Sequence, residues 1–176
     1  MEYTIYIKGM YDTRAGVGAS VWVCGEKEEV KPIPHGMRWI QLIAPDAAPC
    51  FQLKEHKEHF QLELYALYCA IYAGKQRVFY GEPHWDDDII VVSNNTAVVA
   101  WLNGLSDPNG YEYAEPYTVL MATIKEWMTQ LSVKSLKAVH MKKTDTIPRN
   151  IRVNQIAQKA LNEQVMKYYS DISKTP

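Results

Sequence analysis

Alternating β-favouring and polar residues open the chain, from Tyr3 to Ile7 and again from Ala19 to Cys24 after a glycine-bearing turn. Two such runs joined by a turn predict an antiparallel hairpin. Trp39 to Ile43 predicts a third strand. Between Gly25 and Phe60 there is more chain than two strands need, punctuated by Pro32, Pro34, Pro45 and Pro49, so 25–60 is expected to hold an insertion or long excursion. Phe60 to Ala73 carries Leu62, Leu64, Ala66, Leu67, Cys69, Ala70 and Ile71 with few breakers. That pattern predicts a helix buried over much of its surface, with Gly74 as its stop.

The short apolar run Ile89-Ile90-Val91-Val92 predicts a central parallel strand covered on both faces. Asn95-Thr96 can cap a helix that runs to Leu102 and closes at Gly104. Pro116 suits the first turn of another helix, where Tyr117, Leu120, Met121, Ile124, Trp127, Met128 and Leu131 recur at helical spacing. Val133 to Met141 predicts a strand. Asn150 to about Tyr169 predicts a last helix with Val153, Ile156, Ala157, Ala160 and Leu161 on one face. A meander followed by βα alternation makes the fold class α/β, a mixed sheet with helices on its faces.

Composition adds bounds. A chain of 176 residues, 47% of them hydrophobic, can bury one substantial core, and 1–176 is expected to form a single domain. No stretch approaches the roughly eighteen uninterrupted apolar residues of a membrane span. Met1-Glu2-Tyr3 lacks a secretory layout. A cytoplasmic or otherwise intracellular protein with no membrane partner is expected. Cys24, Cys50 and Cys69 form no CxxC pair and read as buried thiols. His56 and His59 have metal-like spacing, but Lys54, Glu55, Lys57 and Glu58 surround them, which reads as a solvated polar stretch. Net charge is −1, unevenly distributed: from Lys125 onward ten Lys/Arg face four Asp/Glu, and before it nine face sixteen. Such an asymmetry can mark a basic face, or two faces that attract each other or a partner.

Four local motifs then fall in order along the chain. The first strand leads into Ile7-Lys8-Gly9-Met10; the first helix holds Leu62-Glu63-Leu64-Tyr65-Ala66; the central strand ends in Ser93-Asn94-Asn95; and the last helix opens with Ile147-Pro148-Arg149-Asn150-Ile151-Arg152-Val153-Asn154. In sequence and spacing these resemble ribonuclease H, whose strands and helices come in the same order. The resemblance implies a ribonuclease H-like fold, a mixed five-stranded sheet flanked by helices. It also places Lys8, Glu63, Asn94 and Asn154 on the family's four metal-binding carboxylates, and Thr144 near its mobile-loop histidine.

In that family the carboxylates hold two Mg²⁺ ions about 3.5–4 Å apart. Hard divalent ions need charged oxygen ligands. Here one carboxylate remains, Asn94 and Asn154 keep shape without charge, and Lys8 brings a positive charge. The site is therefore read as degenerate, with no catalytic residue and no metal, and the chain as not an enzyme. Glu63 is expected to pair with Lys8. Asp12, Asp145 and the run Asp86-Asp87-Asp88 are weighed as replacement acids and set aside as displaced or solvated.

Three functions follow from the resemblance. The first is a non-catalytic module that binds a protein partner or organises an assembly, as the connection domain of reverse transcriptases does; twelve tyrosines and five tryptophans suit an aromatic contact surface. The second is binding of an RNA–DNA hybrid or duplex without cleavage, with Lys8, Lys134, Lys137, Lys142, Lys143, Arg149 and Arg152 as candidate contacts. The third is a metal-dependent ribonuclease H using displaced acids, the one reading that calls for Mg²⁺; the other two call for no cofactor.

Overall fold

The computed structural model describes residues 2–41, 50–53, 55–75, 88–104 and 134–174. The helix expected from Pro116 to Leu131, together with Asp86 and Asp87, lies outside them. The opening hairpin forms as expected, β1 (Glu2–Asp12) against β2 (Val17–Cys24). Its turn is closed by Asp12, whose carbonyl accepts from Gly16 N–H and whose carboxylate accepts from Ala15 N–H, each at 2.8 Å. Asp12 is thus a turn residue, which gives it a structural task.

The third strand of the sheet is β3 (Lys27–Ile33), antiparallel to β2. It was not legible as a strand because Lys27, Glu28, Glu29 and Lys31 hide the alternation and Pro32 interrupts it. An edge strand tolerates both, since charge on an edge faces water and the missing proline N–H faces outward. The expected strand at Trp39–Ile43 is instead β4 (Trp39–Gln41), paired with β5 (Cys50–Gln52) in a separate two-stranded ribbon.

Next come α1 (Glu58–Lys75), β6 (Asp88–Ser93), α2 (Thr96–Leu102), β7 (Ser135–His140) and α3 (Pro148–Ser173). The sheet order is β3-β2-β1-β6-β7, with β6 parallel to β1 and β7 parallel to β6. The mixed five-stranded sheet flanked by helices is therefore as expected. Asn95 caps α2 through its side chain, which accepts from Ala97 and Val98 N–H. Gly74 lies within α1 rather than ending it. Pro148 begins α3 two residues before the expected start, because proline's missing N–H is no loss in the first turn.

Helices α1 and α2 cover one face of the sheet, burying Leu62, Leu67, Ile71 and Trp101 against Ile5, Ile7, Trp22 and Val91. On the other face Val153, Ile156 and Ala157 of α3 meet Tyr6, Val21, Val23 and Val92. β2 is buried at all eight positions because it is covered on both sides. On the outer side of β7, Asn103 at the end of α2 acts as a strand substitute: its amide accepts from Ala138 N–H and donates to Ala138 O, both at 2.8 Å.

A close backbone contact joins β1 to α1. A Cβ on Gly9 would lie 2.5 Å from Glu63 N and 2.7 Å from Leu62 C, and one on Gly18 would meet Met10 O at 2.6 Å and Leu62 Cδ1 at 2.8 Å. Ser20 Oγ also donates to Leu62 O at 2.7 Å. The helix backbone thus sits on the hairpin where side chains are absent. Gly9→Ala is expected to destabilise the fold by about 2–3 kcal/mol, since backbone on both sides must move. Urea unfolding measures it; a loss below roughly 0.5 kcal/mol would mean that the close approach relaxes freely.

Candidate functional site

At the carboxyl ends of β1 and β6 the chain gathers the residues singled out from the sequence. Parallel pairing runs through Tyr6 and Val92, so Lys8 and Asn94 follow side by side just beyond the register. Glu63 reaches the same end from α1. Lys8 Nζ donates to Asn94 Oδ1 at 3.4 Å. Asn94 is itself oriented, because its amide nitrogen donates to Met141 O at 2.7 Å and to Asn150 Oδ1 at 3.1 Å. Asn150 then donates to Lys142 O and Asp145 O, each at 3.1 Å. A polar relay therefore runs from β1 through β6 to the loop before α3. Asn154, one turn on from Asn150, donates to its carbonyl at 2.8 Å and leaves its own Oδ1 buried without a partner.

Glu63 is buried and accepts from Ser93 Oγ, with its backbone packed directly against Gly9. Burial pushes its carboxyl up to about 7, against the opposing pull of Ser93, the Lys8 charge and Gly9. Lys8 is lowered, first by burial and further by Lys143, while Glu63 works to raise it. The expected Lys8–Glu63 pair does not form as a direct contact: the hydrogen bond of the ammonium goes to Asn94, and Glu63 is held by Ser93, so the two charges act on each other only through space. Ser93 and Asn150 carry this geometry; both stood inside the quoted motifs without being given a role. Two exposed histidines flank the site, His59 with Nδ1 3.4 Å from Gly9 O and His140 with Nε2 3.2 Å from Asn94 O.

These residues do not fit a pair of divalent ions. Such ions take several hard, charged oxygens, and the donor set offers one carboxylate already engaged by Ser93, two amides and an ammonium. Among the described residues no group of three His, Cys, Asp or Glu could hold a metal ion. Asp145 serves its loop, accepting from Ile147 N–H at 3.1 Å, and Asp88 accepts from Ser135 Oγ at the start of β6, away from the site.

The candidate nucleic-acid contacts divide. Lys142 and Lys143 are exposed on the loop beside the site, and Lys143 is close enough to act on Lys8. Lys134 is exposed at the other end of β7, about 20 Å away at the usual strand rise, and Lys137 lies exposed between them. Arg149 is engaged by Gly25 O at 3.0 Å and Glu26 at 3.3 Å. Arg152 grips Glu28 with two bonds of 2.8 and 2.6 Å. Both arginines therefore fasten α3 to the β2–β3 corner. Cys24 and Cys69 are buried free thiols, pushed up to about 11 and about 12 by burial; neither has the lowered pKa of a reactive thiol.

No protein-family model matches the sequence, and a search of curated proteins finds no significant relative. Solved structures do match. RNase H1 from the halophilic archaeon Halobacterium salinarum NRC-1 is 19% identical with a TM-score of 0.60, over 93% of this chain and 99% of that one. LC11-RNase H1 in complex with an RNA/DNA hybrid is 15% identical with a TM-score of 0.60, over 92% and 97%. The N-terminal RNase H domain of a Mycobacterium tuberculosis protein is 13% identical with a TM-score of 0.59, over 94% and 97%. The fold is that of ribonuclease H. These comparisons also overturn the expectation that the chain is not an enzyme, since the structures sharing its fold end to end were solved as RNase H1 proteins.

The environment of Glu63 has a measurable consequence. Its folded pKa stands above the ordinary 4.5, so the folded state holds a proton that the unfolded state has released. Stability should therefore fall as pH rises from about 4.5 to about 7. At about 1.4 kcal/mol per unit, the loss is roughly 3 kcal/mol. Urea unfolding at pH 5 and pH 8 should show the decline in the wild type and a flat response in Glu63→Gln. Equal slopes in the two proteins would assign the dependence to another group.

Proposed function

We propose that this chain is a nucleic-acid-associated domain that receives an RNA–DNA hybrid or duplex across the end of the sheet bearing Lys8, Asn94 and the Lys142–Lys143 loop. The observation that carries this reading is that the exposed Lys142–Lys143 loop is tied through Met141 O and Asn150 to Asn94, the partner of Lys8, in a fold shared with an RNase H1 solved on an RNA/DNA hybrid. Exposed lysines on a loop can move to meet phosphates, whereas Arg149 and Arg152 would first have to leave Glu26 and Glu28. Lys142 and Lys143 are therefore the principal backbone contacts, and Lys137 and Lys134 extend them along β7. Phosphate contacts of this kind set position and affinity without reading sequence.

A protein partner is the second reading. It is favoured by Met166, Tyr169 and Ile172, which lie 72%, 47% and 47% exposed along the far half of α3. Sedimentation of the wild type beside Met166→Glu/Ile172→Glu tests the simplest version, self-association through this row. Two equally monomeric proteins would argue against it. No helix among the described residues is long and apolar enough to cross a membrane.

Fluorescence anisotropy with a labelled hybrid, repeated across salt concentrations, tests the first reading. Affinity should fall steeply with salt, and Lys142→Ala/Lys143→Ala should reduce the log–log slope by about 2, near 0.9 for each phosphate no longer neutralised. Cleavage is followed in the same samples with Mg²⁺ or Mn²⁺, so that binding and turnover are measured together. An absence of binding at low salt would remove this reading.

A further inference from the structure

We propose that Lys8 is a tethered cation: its ammonium takes the electrostatic place of a divalent metal ion between Glu63 and Asn94, so that the pocket holds its shape without one. Three observations converge on this. The acceptor facing Lys8 is aimed rather than accidental, since Met141 O and Asn150 Oδ1 bind both protons of the Asn94 amide and leave its oxygen for the ammonium. The carboxylate of Glu63 is buried within the field of that ammonium and keeps Ser93 as its hydrogen-bond donor. Asn154, which reaches the relay only through the Asn150 carbonyl, adds no more than one neutral oxygen, too little for a hard cation that needs several charged ligands.

A covalently attached charge differs from a bound ion in one physical respect. It cannot dissociate, so the pocket's order does not depend on ion concentration, and a chelator has nothing to remove. An added Mg²⁺ would meet the ammonium's repulsion and a ligand set that has already closed on itself. This inference concerns the chain alone and stands or falls independently of nucleic-acid binding.

Thermal unfolding of the full chain, in EDTA and in millimolar Mg²⁺ or Mn²⁺, tests it. The wild type should melt at the same temperature in all three. Lys8→Met should melt several degrees lower, having lost the cation but kept the aliphatic stem. Lys8→Asp/Asn94→Asp/Asn154→Asp should melt lower still in EDTA, because clustered carboxylates repel, and recover several degrees with Mn²⁺, because an ion bound only by the folded state stabilises it. Adding Glu63→Gln to the triple variant should reduce that recovery. If the triple variant does not fold, the wild type still decides the matter. Selective broadening of the Gly9, Glu63 and Asn94 amide resonances by substoichiometric Mn²⁺ would overturn the proposal, and uniform spectra would support it. A Lys8→Met protein more stable than the wild type would also overturn it.

Discussion

Contact between the backbone of α1 and the backbone of β1 governs the placement of everything else at the site. Helices usually stand off a sheet by the length of the side chains between them. Here Gly9 and Gly18 remove those side chains, and Ser20 replaces one with a hydrogen bond to Leu62 O. The helix settles until its backbone at Leu62 and Glu63 lies directly on Gly9. One glycine therefore permits the approach that brings the buried acid to the end of the sheet. Ser93, at the end of the neighbouring strand, closes the other side. The acid's hydrogen bond comes from this frame, while the charge beside it comes from Lys8.

That separation between frame and charge explains how the site can depart so far from the family it resembles. Asn94 and Asn150 keep the reach needed to link β6 with α3, and the relay through Met141, Lys142 and Asp145 ties down the loop between them. Amides satisfy one another in such a chain because each both donates and accepts, which carboxylates alone cannot do. Amides at these positions make a site whose members largely satisfy one another. Asn154 Oδ1 is the exception, and it marks where that closure stops.

Much of this was legible in the sequence. The Lys8-Gly9, Glu63 and Asn94 motifs carried both the fold and the convergence of those residues, because their order and spacing reflect which strand ends and helix turns must meet. Asn154 joins them only through the Asn150 carbonyl. The edge strand β3 was hidden for a physical reason: a strand with water along one side does not need alternation, and its charges serve Arg152 and Lys31 instead. The engagement of Arg149 and Arg152 was equally invisible, since their partners in Gly25, Glu26 and Glu28 are more than 120 residues away along the chain. A cluster of basic residues in sequence looked like one surface; in three dimensions it splits between a free loop and a structural clamp.

Asn103 carries a last implication. An outer strand such as β7 presents N–H and C=O groups that another chain's strand could pair with. By placing one side-chain amide against both groups of Ala138, the end of α2 occupies that rung of the ladder and interrupts any incoming strand midway. A single side chain thus does for one rung of the ladder what a neighbouring strand would do for the whole edge.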